Sequence, residues 1–181
     1  MKGSNIEPID RVKKTDKDGN YFVPMGHYAL SNSKNIHLTH NPKLSIYGLG
    51  SCIALVLFDE ISKVSAMSHI LLPKANTNKE IKFPHKYANL SVKLLMEELL
   101  NHGALRGNIR AIIVGGSKIF DFNNNIMGFD NTSTVKEELD SLKIQIIKED
   151  TGGSKGRNVI FDTKDFSLFV KSTGERDFKK I

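Results

Sequence analysis

Hydrophobic residues fall in short runs separated by polar turns, and the period of the runs changes along the chain. Gly26 to Leu30 and Leu44 to Tyr47 have the length and composition of strands. Ile53 to Phe58 is continuously apolar, and a second stretch from Lys63 to Leu72 stops at Pro73, which cannot donate to a ladder. The residues between, Asp59-Glu60-Ile61-Ser62, read as a four-residue hairpin loop. Both faces of this hairpin are largely apolar, the mark of a pair covered on both sides. Beyond the polar loop Ala75 to Pro84 a helical period begins near His85. There Tyr87, Leu90, Leu94 and Leu95 share a face, and Gly103 is placed to end the helix. Arg110 to Val114 predicts a strand running into Gly115-Gly116. Val135, Leu139 and Leu142 predict a helix over 133–142. Ile144 to Ile147 predicts a strand, and Asn158 to Phe161 with Ser167 to Val170 a closing hairpin. Local hairpins mixed with helices predict an α/β or mixed α+β domain, a mixed sheet with packed helices.

The 181 residues suffice for one domain with a sizeable core. Residues 1–22 are polar, without a hydrophobic period, and read as a mobile tail; 23–172 form the domain and 173–181 a C-terminal tail. No apolar run is long enough to span a bilayer, and the first residues lack the apolar core of a signal peptide. With a single cysteine, no internal disulfide is possible. A cytoplasmic location without membrane insertion is expected. The net charge of +6 comes from 21 Lys against 5 Arg, scattered along the chain. Nucleic-acid readers favour Arg for bidentate contacts, so no nucleic-acid partner is expected.

The one cysteine lies in Gly48-Leu49-Gly50-Ser51-Cys52, at the entrance to the apolar run. With a loop of Asp59 to Ser62, the hairpin pairs Phe58 with Lys63, Val56 with Ser65, Ala54 with Met67 and Cys52 with His69. Directly opposed residues hold their Cβ atoms about 4.5–5.5 Å apart. A thiol and an imidazole at that spacing make a nucleophile and its base, and a catalytic thiol is expected to titrate below the free value. Main-chain N–H groups near Gly50 and Ser51 are placed to hold a developing oxyanion. The competing reading is a small buried cysteine and a satisfied core histidine. A metal site finds little support, because the six histidines are dispersed, His37 and His40 being the one close pair. Two further glycine loops, Gly115-Gly116-Ser117 and Thr151-Gly152-Gly153, end strands and are candidates to line the same cleft. The second, continuing to Arg157, lacks the spacing of a phosphate-binding loop.

Five segments in order carry a family resemblance: Gly48 to Ala54, Ala66 to Pro73, Lys86-Tyr87-Ala88, Gly115 to Ser117 and Glu149 to Gly153. Together they resemble the chemoreceptor glutamine deamidase family of bacterial chemotaxis, CheD, over about residues 25 to 172. The resemblance implies a mixed α/β sandwich related to deamidating toxins. It implies hydrolysis of glutamine side chains on the cytoplasmic helices of methyl-accepting receptors, without a cofactor, and a CheC-type phosphatase as partner. It implies Cys52 as nucleophile and His69 as base. Two positions depart from the family pattern. Ile46 stands where the family has a third catalytic threonine. Ser45 is adjacent, but a regular strand turns it to the other face unless a bulge intervenes. Asp130 stands where the family tends to have an arginine before the asparagine, here Asn131. The Ile46 departure implies a slower enzyme, and it is the basis of an alternative, a weakly active or non-catalytic adaptor for the phosphatase and receptors. A cysteine peptidase or amidase of other specificity is the second rival.

Overall fold

The computed structural model describes residues 15, 18–32, 43–75, 80–119 and 126–181. Most of the segment expected to be a mobile tail lies outside the described residues, as do His37, His40 and the Asn123 to Asn125 tract. The described residues form ten strands: β1 (Tyr21–Phe22), β2 (Tyr28–Asn32), β3 (Lys43–Leu49), β4 (Ile53–Asp59), β5 (Val64–Ile70), β6 (Arg110–Gly115), β7 (Gln145–Thr151), β8 (Arg157–Asp162), β9 (Ser167–Ser172) and β10 (Lys179–Lys180). Two helices join them, α1 (Ala88–Asn101) and α2 (Met127–Ser141).

β4 and β5 are buried at every position, so both of their apolar faces need cover. Side chains alternate across a strand, and the two sets meet different layers. Ala54, Val56, Phe58 and Met67 pack toward a second sheet. Ile53, Leu55, Leu57, Ala66 and Ile70 pack toward the helices. The central sheet runs β2-β5-β4-β6-β7, with only β6 and β7 parallel. The outer sheet runs β1-β3-β8-β9-β10, with only β1 and β3 parallel. The result is a mixed α+β sandwich of two mixed sheets with helices on one side. The outer sheet reaches into both terminal segments: β1 lies within 1–22, β10 within 173–181, and Ile181 packs on the inter-sheet core.

The hairpin register differs from the expected one by two residues. Asp59 is not in the loop but is the last residue of β4, fully buried, and it pairs with Val64. Its carboxylate accepts the N–H groups of Ile61, Ser62 and Leu105. Burial alone would raise this carboxyl, but those hydrogen bonds outweigh it and hold the group below its ordinary value. The turn therefore moves on by one residue, with Lys63 in the left-handed region at φ 58°. Val56 pairs with Met67, and Ala54 with His69. A slip of two residues keeps every side chain on its face. His69 thus remains on the Cys52 side of the sheet, one pleat along.

Both helices differ in detail from the periodic reading. In α1 the buried stripe is Ala88, Ser91, Val92, Leu95, Met96 and Leu99, so Leu90 and Leu94 lie at its margin. The helix α2 starts at Met127 rather than near Ser133. Its first two turns lack an apolar stripe because they pack on main chain. A Cβ on Gly128 would lie 2.5 Å from the Gly116 carbonyl oxygen.

Candidate active site

Cys52 sits where β3 hands over to β4, on a short segment whose carbonyls are all engaged. Gly50 O accepts the Ser117 N–H at 2.8 Å, and Cys52 O accepts the Gly116 N–H at 2.9 Å. Ser51 O accepts the Asn131 side-chain amide at 2.8 Å. Gly115 permits this approach: its φ is +118°, and a Cβ there would lie 2.2 Å from the Cys52 carbonyl oxygen. Cys52 is 8% exposed. It reaches solvent through a cavity of about 630 Å³ between Gly48–Cys52 and the Ser154–Asn158 segment, with Ile119 and Thr173 at its edges. Burial pushes the thiol above its ordinary value, partly offset by its own backbone N–H. The direction is opposite to the lowering expected of a catalytic thiol.

His69, on the Cys52 side of the central sheet, is 4% exposed. Its Nδ1 is 3.2 Å from the carbonyl oxygen of Val23. A carbonyl can only accept, so Nδ1 carries the proton and Nε2 is the basic nitrogen. Nε2 is buried and has no partner among the described residues. Burial lowers the imidazole below its ordinary value, with the Val23 bond opposing. Both shifts favour the neutral thiol and the neutral imidazole over an ion pair.

The structure places Ile46 and its neighbour Ser45 on opposite faces of β3. Ile46 is fully buried in the same inter-sheet core as Cys52. Ser45 points to the opposite face of β3 and donates to the Tyr21 carbonyl at 3.3 Å. A bulge does exist in β3, but it falls between Ile46 and Leu49, at Gly48 with φ +71°, and so does not turn Ser45 round. The group that orients His69 is the Val23 main chain, fixed in turn by its own N–H bond to Ser45 O at 2.9 Å.

The three glycine loops meet one another. Gly152 N–H donates to Gly115 O and Lys118 N–H to Gly153 O. Arg157, buried, threads between them. It donates to Ser117 Oγ and the Gly152 carbonyl and pairs with Asp150 at 2.8 Å. Ser117 Oγ donates to the Lys155 carbonyl at 2.7 Å. Gly50 and Ser51 line the Cys52 cavity, but the residues singled out in the other two loops do not. Gly115 and Ser117 are buried, while Gly116, Thr151, Gly152 and Gly153 line a second cavity of about 730 Å³ beside Phe129 and Lys136. The loop crosses the rim at Gly153, so its far side, Ser154 to Arg157, faces the thiol. Among the described residues no group of three or more His, Cys, Asp or Glu is placed to hold a metal ion.

Sequence reasoning missed Val23, Asn131 and Arg157 as parts of this site. Asn131 is fully buried and donates through Nδ2 to both Ser51 O at 2.8 Å and Leu71 O at 3.0 Å. Two carbonyl partners fix the amide orientation. Its Oδ1 has no partner among the described residues, which for a buried acceptor costs about 1–3 kcal/mol. No sequence signal marks Val23, since any residue supplies a carbonyl.

Comparison with known proteins adds an independent line. The family model described as CheD chemotactic sensory transduction matches residues 71–172, a segment that carries Asn131 and Arg157 and begins just past His69. A "Probable chemoreceptor glutamine deamidase CheD" of Clostridium novyi (strain NT) is 38% identical over 136 residues, covering 73% of this chain and 84% of that protein. A protein of the same name from Clostridium botulinum (strain Hall) is 37% identical over 145 residues, covering 77% and 90%.

Proposed function

The chain belongs to the CheD family of chemotactic sensory transduction, and from that premise we propose that it hydrolyses glutamine side chains of chemoreceptors to glutamate. The observation that carries the reading is the buried Cys52 at the floor of an open cavity, with a histidine of defined tautomer on the same face of the sheet. As Sγ attacks the carboxamide carbon, its proton passes to Nε2 of His69, which Val23 keeps unprotonated and unpaired. The carbonyl oxygen becomes an oxyanion against main-chain N–H groups of the Gly50 to Cys52 segment. The C–N bond then breaks, Nε2–H protonates the leaving nitrogen, and ammonia departs from a thioester. Water gives its proton to Nε2, adds to the thioester and expels Sγ, which recovers the proton. The balance is glutamine plus water to glutamate plus ammonia, without a cofactor.

A CheC-type phosphatase as binding partner belongs to the same reading. Phe129 and Ile126, 72% and 59% exposed at the start of α2, form apolar surface of the kind a protein covers. The adaptor alternative rests on Ile46; the bond between His69 Nδ1 and the Val23 carbonyl supports an enzyme that orients its base without a side-chain hydroxyl. Intact-mass analysis of a purified chemoreceptor cytoplasmic fragment tests the proposal. A gain of about 1 Da per modified glutamine is the expected result for this chemistry. No change supports the adaptor, and cleavage supports a peptidase.

A further inference from the structure

We infer that Asn131 is a positioning residue that sets the oxyanion-binding N–H of Cys52, an inference that rests on the deamidase reading above. A peptide unit is planar and trans, so its C=O and N–H point in opposite directions. Whatever holds the Ser51 carbonyl aims the Cys52 N–H. That holder is the Asn131 amide, at 2.8 Å. The other ends of the segment are held in the same way, Gly50 O by Ser117 and Cys52 O by Gly116. The Cys52 N–H itself donates to no backbone acceptor among the described residues, and it belongs to the residue that carries the thiol. It is therefore an unused donor on the side of the nucleophile, as an oxyanion site requires.

The second Asn131 bond makes the arrangement a staple. Leu71 O, at 3.0 Å, follows directly on the strand that carries His69. One side chain from α2 thus locks the nucleophile's peptide and the base's strand to a common frame. A role in packing alone would be better filled by an apolar side chain, because the buried Oδ1 is left without a donor. An amide has the two donors that two carbonyls need, and no apolar residue does.

The test separates oxyanion stabilisation from thiol reactivity. Alkylation by iodoacetamide needs the thiolate but forms no oxyanion, so it reports the thiol apart from oxyanion stabilisation. In Asn131→Asp the shape is kept and the donors are lost at neutral pH. Its kcat on a receptor fragment is expected to fall about 100-fold, as for loss of one oxyanion donor, with KM and the alkylation rate within about threefold of the parent. Because a protonated carboxyl regains one donor, part of the loss should return as the pH is lowered. Asn131→Ser, smaller and still a donor, provides a second variant if the aspartate fails to fold, and it should lose less than Asn131→Ala. An unchanged kcat in folded Asn131→Asp overturns the inference. So does a parallel fall in kcat and alkylation rate, which would mean that Asn131 merely places the sulfur. If the parent chain is itself inactive, or Cys52→Ala stays active, the deamidase reading fails instead.

Discussion

Two buried histidines flank the central sheet from opposite sides, and they are nearly the same residue by every local measure. His69 and His85 are each 4% exposed. Each has its Nδ1 in a hydrogen bond and its Nε2 buried without a partner among the described residues. Burial lowers both below the ordinary value, His85 to about 4. His85 donates to Ser91 Oγ, which donates to Ser68 Oγ, and its ring lies against Tyr28. That chain sits on the helix side of β5, away from Cys52. His69 shares the inter-sheet side with Cys52, which opens onto a cavity. A buried, depressed histidine is thus no catalytic signal by itself; the neighbour and the access to substrate make the difference.

The largest expected effect comes from removing that neighbour. Cys52→Ser should lower kcat/KM on a receptor fragment at least about 10,000-fold with an unchanged circular dichroism spectrum, the hydroxyl being too weakly acidic to replace the thiol. Substantial activity would remove the cysteine from the mechanism and leave the two histidines equivalent.

His69→Asn follows, since its amide can keep the bond to Val23 while the base is lost. A fall of about 100- to 10,000-fold in kcat is expected, with Cys52 alkylation still measurable. In the parent, the acid limb of kcat/KM should lie below pH 6.5, because burial depresses His69. A limb above 7 would point to a histidine stabilised as a cation.

Removing the imidazole on the other side should leave catalysis alone. His85→Gln is expected to stay within about twofold in kcat/KM, yet to change the pH dependence of stability. The folded state holds His85 neutral to about pH 4, whereas the unfolded chain takes its proton near 6.5. Stability is therefore full above 6.5 and declines as the pH falls through this window, by about 3 kcal/mol from this residue. Urea titrations at pH 4.5 and 7 should show a smaller difference in the variant.

The smallest effect is expected at Ile46. With the Val23 carbonyl already orienting His69, Ile46→Thr should leave kcat within about twofold. It should cost about 1–3 kcal/mol for a buried hydroxyl without a partner. A marked rise in kcat would show that the carbonyl is an inferior substitute for a side-chain hydroxyl.

Much of this was legible in the chain. Apolar runs that cannot be covered on one side alone, Ile53 to Phe58 and Lys63 to Leu72, determined a central hairpin with layers on both faces. Periodicity and turn residues located α1, β6, β8 and β9 to within a few residues. The face of His69 was also fixed, because an error of two residues in register preserves parity. Its partner was not, since that depended on where Asp59 sits. Only tertiary structure decides that this carboxylate is buried and captures Leu105 N–H from a distant loop, which moves the turn. The orienting group of the base was beyond sequence reading for another reason: Val23 contributes a main-chain oxygen, identical in every residue type. Asn131 and Arg157 were visible as letters but not as parts of a site, since their partners are carbonyls of loops far along the chain. The sequence by itself determined that Cys52 and His69 share one face of a central hairpin. The register, the tautomer and the direction of the Cys52 N–H came from hydrogen bonds between segments that meet only in the folded chain.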